Sequence, residues 1–368
     1  MKICLYSPYI PQHTGGGEKY MLDVALILAK KHHVSIAVPQ QYAGDASIVK
    51  KYESFLNKSL ESISFIPTPL GSGANFIRKL WWTRQFDVLY YLTDGSLFFS
   101  LAKKNILHIQ FPLQLDKSSV WEQFKLKRWQ IKNTNSEFTQ QIVEKSWPVT
   151  IDLVHYPLVD LSEFKKITHT VKKEKIILSV GRFFRHLHSK RQDVLVDIFR
   201  QLINKYPQEM KGWKLIMIGA VEDQEYLSQI KRKKRNLPIE FYHELDRKKL
   251  LKWYAKASIY WHAAGFKIDA RQNPEKVEHF GISTLEAMAA GCVPVVHGKG
   301  GQIEVLGEDL SDLLWLDKKT CLEKTKKLIA NGKLRASYQD QARHRATVFS
   351  KESFQKKLFD MIGNNEKK

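Results

Sequence analysis

The chain alternates short apolar runs with longer segments in which apolar residues recur at helical spacing. Residues 2–7 form the first apolar run, a turn rich in proline and glycine follows, and residues 33–38 form the second run. Between the runs, apolar residues recur every three or four positions, namely Met21, Val24, Ala25, Ile27 and Leu28. A strand, a helix and a second strand in this order form a βαβ unit, and such units build parallel sheets.

This alternation continues along the chain and starts a second time near residue 175. The other strands predicted in the first half are residues 62–66, 87–92, 105–111 and 131–136. Those predicted in the second half are residues 176–181, 213–219, 239–244, 257–263 and 292–298. Helical periodicity separates them, and residues 351–362 are typical of a final amphipathic helix. The pattern predicts an α/β protein with two doubly wound, Rossmann-like units.

The segment from residue 154 to residue 170 has a proline and no clear period. We therefore expect an N-terminal domain over residues 1–167 and a C-terminal domain over residues 168–345. Residues 346–368 are expected to form a C-terminal helix that returns to the N-terminal domain. Two such units side by side would face each other across a cleft. Ligands of open parallel sheets bind beyond the carboxyl ends of the strands, so candidate residues should follow strands.

Composition limits the class of protein without identifying it. The chain has 368 residues, of which 43% are hydrophobic and 26% are charged, as in ordinary globular proteins. The N-terminus does not resemble a signal peptide, and no window reaches 18 uninterrupted apolar residues. We therefore expect a cytoplasmic location. The formal net charge of +21 favours anionic partners, either phosphorylated molecules, anionic lipid or nucleic acid.

Three consecutive glycines, Gly15, Gly16 and Gly17, lie between the first strand and the first helix. They would let backbone amides approach a ligand closely, and the start of the helix would favour an anion. The spacing is neither the dinucleotide-binding fingerprint nor a P-loop. A tight turn without a ligand is the alternative.

Two carboxylates, Glu278 and Glu286, lie eight positions apart around Phe280, Gly281 and Ser283. Glu278 is predicted in a loop and Glu286 in the first turn of a helix. The structural alternative is specific, because Ser283 and Glu286 have the spacing of a helix-capping box.

The segment from Glu278 through Glu286 to the following strand closely resembles the E-x7-E signature of the family 4 glycosyltransferases. These are retaining enzymes of GT-B fold. The resemblance extends to the glycine loop, to Asn135 and Ser136 at a strand end, and to Val180, Gly181 and Arg182 after another strand. It implies a GT-B fold and a nucleotide-diphosphate sugar as donor.

The resemblance also implies roles for single residues. Arg182 and Lys190 would neutralise the diphosphate leaving group, which makes a metal unnecessary. Glu286 would accept hydrogen bonds from the ribose, and Glu278 would hold hydroxyls of the transferred sugar. The residues that would bind the nucleotide sugar with them are the three glycines of the first loop, Phe280, Gly281, Ile282 and Ser283.

Two positions stay open. The segment between Arg182 and Lys190 is longer than in the family, so Arg185 or Arg191 could replace Lys190. The family usually has a histidine near the reacting carbon at the end of an N-domain strand. Here His108 is the candidate, with Gln110 as the alternative and an ordinary strand histidine as the structural explanation.

Aromatic and basic residues alternate over residues 76–84 and again over residues 121–129. Such segments suit an anionic membrane surface, although core tryptophans beside solvated charges would give the same pattern. Together with the net charge, they predict peripheral attachment to the cytoplasmic face of a membrane.

The function predicted on these grounds is a retaining hexosyltransferase. It would move mannose or a similar sugar to a glycan or lipid-linked acceptor in envelope polysaccharide or glycoconjugate synthesis. The alternatives are another GT-B enzyme, such as a sugar-nucleotide epimerase, and a basic nucleic-acid-binding protein. The sequence has no recognisable nucleic-acid-binding motif, so no nucleic-acid partner is expected.

Overall fold

The structure is a computed structural model that describes residues 1–11, 14–71, 73–115, 117–186 and 189–363. The chain divides into two compact units. The first unit is Met1–Leu158 together with the residues from 351 on, and the second unit is Val159–Ser350. Each unit contains one parallel sheet, with seven strands in the first and six in the second.

The first sheet has the order β3-β2-β1-β4-β5-β6-β7. Its strands are β1 (Lys2–Tyr6), β2 (His33–Val38), β3 (Ile63–Pro67), β4 (Val88–Thr93), β5 (Lys104–Ile109), β6 (Ile131–Thr134) and β7 (Leu153–Val154). The second sheet has the order β10-β9-β8-β11-β12-β13. Its strands are β8 (Glu174–Val180), β9 (Lys214–Ile218), β10 (Ile239–Tyr242), β11 (Ala257–His262), β12 (Val293–His297) and β13 (Leu314–Trp315).

Helices connect most of the strands. They are α1 (Gly16–Leu28), α2 (Ala46–Leu56), α3 (Phe76–Arg84), α4 (Val120–Lys127), α5 (Glu137–Ser146), α6 (Leu161–Thr168), α7 (Gln192–Lys205), α8 (Gln224–Lys234), α9 (Arg247–Lys256), α10 (Ile282–Ala289), α11 (Gln302–Leu306), α12 (Lys318–Ala330), α13 (Gly332–Ala346) and α14 (Lys351–Ile362). Within the described ranges, no helix is long and apolar enough to cross a membrane.

The central strands are buried on both faces, which is why the sequence shows them as continuous apolar runs. Every residue of β4, β11 and β12 is buried. Several helices begin at a side chain that caps them. Ser136 accepts a hydrogen bond from the backbone N–H of Thr139 at the start of α5, and Asp246 accepts one from Lys249 at the start of α9. Such caps stabilise a helix by about 1 kcal/mol each.

The predicted α/β class with two doubly wound parallel sheets is confirmed. Each predicted strand is present, displaced by at most two residues at its ends, and the final helix has the predicted bounds. The sequence did not indicate β7 and β13, because a strand of two residues has no period to detect.

The predicted boundary at residue 168 lies nine residues too late, since the second unit begins at Val159. Helix α6 belongs to the second unit because its buried Phe164 packs edge to face with Tyr254, with 6.2 Å between the ring centroids. The second boundary is at Lys351 rather than at residue 346, because α13 and the turn after it stay with the second unit.

Candidate active site

The glycosyltransferase-like residues of the second unit lie after its strands. Arg182 follows β8, and Glu278 lies in the long connection between β11 and α10. In parallel sheets the carboxyl ends of adjacent strands share one edge, and β8 and β11 are hydrogen-bonded neighbours. The two predicted segments therefore converge on one side of this sheet.

Lys190 and Glu278 form a close ion pair there. The Nζ atom of Lys190 lies 2.6 Å from Oε2 of Glu278, and the side chains are only 17% and 14% exposed. His262, at the end of β11, brings Nε2 to 2.8 Å from the same oxygen, off the line of an ideal hydrogen bond. Glu278 thus has a cation and an imidazole on one carboxylate oxygen.

The protonation states follow from these contacts. Burial alone would raise the pKa of Glu278, but Lys190 and His262 hold it well below its usual range. Burial lowers the pKa of His262, although Glu278 opposes this shift. Nδ1 of His262 faces the N–H of Ala264 and the amide of Gln302 at 3.4 Å each, which assigns the proton to Nε2. Near neutral pH, Glu278 is therefore a carboxylate and His262 a neutral imidazole.

Gly181 is what allows Lys190 to reach Glu278. A Cβ atom on residue 181 would lie 2.6 Å from Cγ of Lys190, so any other residue would displace the lysine stem. The glycine after β8 is therefore needed so that the side chain of Lys190 can pack against it.

Two glycines after β12, Gly300 and Gly301, lie against the backbone of Glu278. A Cβ on Gly300 would lie 2.1 Å from the carbonyl oxygen of Glu278, and the N–H of Gly301 donates to that oxygen at 2.8 Å. These glycines were not among the predicted site residues. Their position directly after a strand was the available signal.

Arg182 is held less tightly than Lys190. Its Nη1 lies 3.0 Å from both carboxylate oxygens of Glu222, and the two side chains are 40% and 38% exposed. Exposed pairs of this kind contribute about 1 kcal/mol or less. Arg182 can therefore exchange Glu222 for a phosphate at little cost in stability.

The two arginines considered as substitutes for Lys190 are held by other carboxylates. Arg185 pairs with Asp223 and Glu225, and Arg191 forms a fork with Asp193. Lys190 is therefore the cation at Glu278. The insertion before it includes residues 187 and 188, which lie outside the described residues.

Helix α10 begins within the predicted segment, but its start is not the capping box that the spacing of Ser283 and Glu286 suggested. Its N-cap is Gly281, with φ of 112°, and a Cβ there would lie 2.7 Å from Nε2 of Gln302. Ser283 is the second residue of the helix, and its Oγ lies 2.8 Å from the hydroxyl of Tyr260. The first N–H groups of any helix lack partners within that helix, so this end can receive an anion.

Two residues flanking this N-terminus differ in exposure. Phe280 is buried, and its ring packs edge to face on Phe349 with 5.4 Å between centroids. Phe280 is thus a core residue that positions Gly281, whereas Ile282 is half-buried. The binding of the nucleotide sugar by Phe280 stays a prediction.

Glu286 belongs to a largely buried charged triad that the sequence did not predict. Its Oε1 lies 2.7 Å from Nη1 of Arg247, and Nη2 of Arg247 lies 3.0 Å from Oε2 of Glu163. Burial would lower the pKa of Arg247, but the two carboxylates raise it above its usual value. The arginine fixes the orientation of Glu286, and its distance of 39 positions along the chain left no local signal.

In the first unit, the glycine loop starts α1 at Gly16, with Gly15 as N-cap. A Cβ on Gly17 would lie 2.8 Å from Oε1 of Gln110, so Gly17 makes room for this side chain. Gln110 directly follows β5 and is half-buried. The glycine loop and Gln110 therefore meet at the carboxyl edge of the first sheet.

The prediction of a catalytic role for His108 is corrected by its burial. His108 lies inside β5 with none of its surface exposed, stacked on Tyr20 at 3.9 Å between ring centroids. Its Nδ1 bonds to Asn133, and burial lowers its pKa to about 3. His108 thus exposes no atom to a substrate in this structure, whereas Gln110, directly after the strand, is half-buried.

The residues at these strand ends do not form a metal site. Among the residues that the structure describes, there is no group of three or more histidine, cysteine, aspartate or glutamate side chains that could hold a metal ion. The independence from metal stays a prediction.

The fold is shared with solved structures, among them that of a glycosyltransferase. Anabaena HepE in complex with UDP aligns with a TM-score of 0.70 and 16% identity, over 99% of this chain and 100% of that one. WaaG, a glycosyltransferase involved in lipopolysaccharide biosynthesis, aligns with a TM-score of 0.64 and 14% identity, over 98% and 99%. These similarities extend the GT-B architecture over the whole chain.

Similar sequences share one description, GDP-Man:Man(3)GlcNAc(2)-PP-Dol alpha-1,2-mannosyltransferase. The relative from Neurospora crassa is 26% identical over 208 residues, which is 48% of this chain and 35% of the relative. The relative from Xenopus laevis is 30% identical over 155 residues, or 40% and 29%, and the human one is 28% identical over 175 residues, or 45% and 34%. The matched region thus spans about a third of each relative's length.

The family model described as "Glycosyl transferases group 1" matches residues 161–345, half of the 368-residue chain. The match contains the charged residues of the candidate site, Arg182, Lys190, Arg247, Glu278 and Glu286. The chain belongs to the group 1 glycosyltransferases.

Proposed function

We propose that this glycosyltransferase moves mannose from a nucleotide-diphosphate sugar, with GDP as the preferred nucleotide, to a lipid-linked glycan with retention of anomeric configuration. The observation that carries the proposal is the pair of buried carboxylates Glu278 and Glu286, each held by its own cation beside the N-terminus of α10. The descriptions of the relatives, which name GDP-mannose and a lipid-linked glycan for those proteins, support the choice of sugar and acceptor.

In the proposed complex, the second unit binds the donor. Lys190 and Arg182 contact the diphosphate, whose negative charge increases as the sugar leaves, so their attraction is strongest in the transition state. The free N–H groups at the start of α10 add oriented donors. No metal is then needed to neutralise the leaving group.

The carboxylates bind hydroxyl groups on either side of the diphosphate. Glu286 accepts hydrogen bonds from the ribose, for which the contact with Arg247 keeps it oriented. Glu278 accepts hydrogen bonds from hydroxyls of the mannose. As the donor enters, the ammonium of Lys190 would turn from Glu278 to the phosphate, because it can pair with either anion.

The first unit is proposed to hold the acceptor near the glycine loop and Gln110. The acceptor hydroxyl oxygen bonds to the anomeric carbon while the bond to the diphosphate breaks on the same face of the sugar, and the hydroxyl proton passes to the departing diphosphate oxygen. A lipid-linked or envelope-glycan acceptor would place the enzyme at the cytoplasmic face of a membrane, in polysaccharide or glycoconjugate synthesis.

A thermal-shift series with GDP, UDP, ADP and their sugars, followed by a transfer assay, tests the proposal. We expect GDP and GDP-mannose to raise the melting temperature most, and the mannosyl product to have the anomeric configuration of the donor by NMR. An inverted product would remove the retaining mechanism. Free sugar or a rearranged sugar nucleotide formed equally well without acceptor would favour an epimerase-type GT-B enzyme.

A further inference from the structure

Helices α3 and α4 turn large apolar side chains toward solvent. In α3 the only buried residue is Thr83, and in α4 it is Leu126. Six apolar residues of these two short helices are between 56% and 77% exposed: Phe76, Ile77, Trp81, Val120, Trp121 and Phe124. Contiguous exposed apolar surface of this kind marks an interaction site in soluble proteins. We refer to these six residues as the α3–α4 apolar face.

One segment of chain connects the two helices. Thr83 of α3 accepts a hydrogen bond from the backbone N–H of Leu101, and Arg128 after α4 donates to the carbonyl oxygen of Ser100. Phe76 also packs edge to face on Phe99, with 5.8 Å between centroids. Both helices are therefore anchored to the same few residues, and their outward sides form one region of the first unit.

Basic side chains accompany the α3–α4 apolar face. Arg78, Lys79, Arg84 and Lys127 form no ion pair with the residues that the structure describes, and Arg84 lies over the ring of Trp81 at 4.9 Å. The acidic residue of α4 is Glu122, which is already paired with Lys117 and Lys125. The surface thus combines apolar side chains with unneutralised positive charge.

The topology places one end of this surface near the proposed acceptor site. In a doubly wound sheet the helix that leads to the next strand starts at the carboxyl edge of the sheet. The first turns of α3 and α4, with Phe76 and Trp121, therefore lie toward the edge where Gln110 follows β5.

We propose that the α3–α4 apolar face inserts into the headgroup region of an anionic lipid bilayer. Aromatic side chains between lysines and arginines match a membrane interface, where rings lie at headgroup level and cations meet lipid phosphates. A second copy of this chain would bring the same positive charge to the surface, which argues against self-association. The purpose of the docking rests on the proposed lipid-linked acceptor, but binding is measurable without transfer.

Flotation of the full chain with vesicles of phosphatidylcholine and phosphatidylglycerol tests the inference. We expect binding that weakens about 5-fold for each of Arg78, Lys79 and Arg84 replaced by glutamine, since each such charge contributes about 1 kcal/mol. The variant Trp81→Asp/Trp121→Asp should lose binding at low and high salt. Leu316→Asp is the matched control, because Leu316 is 65% exposed in the second unit and should leave binding unchanged.

A spectroscopic measurement separates insertion from simple adsorption. Trp81 and Trp121 are the exposed ones among nine tryptophans. Brominated lipid should therefore quench wild-type fluorescence, whereas Trp81→Phe/Trp121→Phe should keep flotation and lose most of the quenching. Unchanged quenching in that variant would overturn insertion.

Three further outcomes would also overturn it. They are absence of flotation at any salt concentration, equal flotation of the Trp81→Asp/Trp121→Asp variant, and a wild-type dimer that this variant converts to a monomer, which would assign the face to a second copy. Nucleotide-induced thermal stabilisation of the same variants reports separately on the donor site. If nucleotide does not stabilise the wild type, the result would count against the proposed function but would not affect the membrane result.

Discussion

The two units have the same type of sheet but different chemistry at their strand ends. In the second unit, long-range ion pairs hold the polar residues, as with Lys190 and Glu278. In the first unit, Asp23 forms a largely buried pair with Lys19, but the polar side chains around Tyr20 are neutral and bonded to each other. Tyr20 and Tyr90 are 2.7 Å apart between their hydroxyls, and His155 Nδ1 lies 2.5 Å from Tyr20. In the proposed complex, the anionic donor would therefore replace internal counter-ions of the second unit.

Replacement of Lys190 by alanine is the strongest test of this contrast. Loss of the cation that meets the leaving group should lower kcat about 100- to 1,000-fold, as removal of a single oriented donor does in other enzymes. Lys214→Ala is the control, since Lys214 forms an exposed pair with Glu240 in the same unit and should leave kcat unchanged. A Lys190→Ala enzyme with near wild-type turnover would show that the ion pair is structural.

Replacement of Arg247 by methionine should have the largest effect on stability. It leaves Glu286 and Glu163 without their cation, and breaking a buried pair in this way costs about 3–5 kcal/mol of unfolding free energy. Nucleotide affinity should fall as well, because Glu286 loses its orientation. Calorimetry of the variant and the wild type measures the loss of stability.

Glu163→Gln should lower the unfolding free energy less than Arg247→Met does. Glu163 is the more exposed of the two carboxylates, at 20% against 8% for Glu286. Equal losses for Arg247→Met and Glu163→Gln, with nucleotide binding intact in both, would contradict a positioning role for Arg247.

Arg182→Ala should lower kcat by about 10-fold or more and raise the donor KM less, because its contribution grows in the transition state. Its pair with Glu222 is exposed, so the melting temperature should hardly change. Steady-state kinetics on a well-folded variant would show this. A change confined to KM would assign Arg182 to ground-state binding only.

His108→Phe tests the neutral cluster of the first unit. Activity should stay within about 2-fold, because the residue cannot touch a substrate, whereas Gln110→Ala should lower it. The folded pKa of His108 is about 3 against an ordinary 6.5, so the unfolded chain binds an extra proton between these values. Stability is therefore lost as pH falls below 6.5, by about 1.4 kcal/mol per pH unit for this residue.

Acid denaturation of His108→Phe should accordingly show a shallower fall in stability between pH 6.5 and pH 3 than the wild type. A His108→Phe variant without activity but with unchanged nucleotide binding and folding would restore the histidine to the reacting centre.

The smallest expected effect is that of EDTA. If Lys190 and Arg182 neutralise the diphosphate, the rate with and without the chelator should agree. A large loss of activity that Mg²⁺ or Mn²⁺ reverses would show that a metal neutralises the diphosphate. The charged residues of the second unit would then distinguish it less from the first unit.

Much of the fold followed from the sequence because its signals are local. Strand runs, helical periods and the glycines after strands repeat within a few residues, so they placed most strands and put Glu278 and Glu286 in one segment. Residues 121–129 show that local signals do not predict burial, because Trp121 is 71% exposed while Trp129 has no exposed surface. Both positions look alike in the sequence, and only packing on the sheet separates them.

The sequence by itself thus determined two parallel α/β units and the residues that resemble a glycosyltransferase site. The tertiary structure decided which partners those residues have. It joined Arg247 to Glu286 across 39 positions, paired Lys190 rather than its neighbouring arginines with Glu278, and buried His108. The physical reason is that burial and ion pairing depend on which strand ends meet at one sheet edge. That meeting is set by long-range packing, which no local pattern encodes.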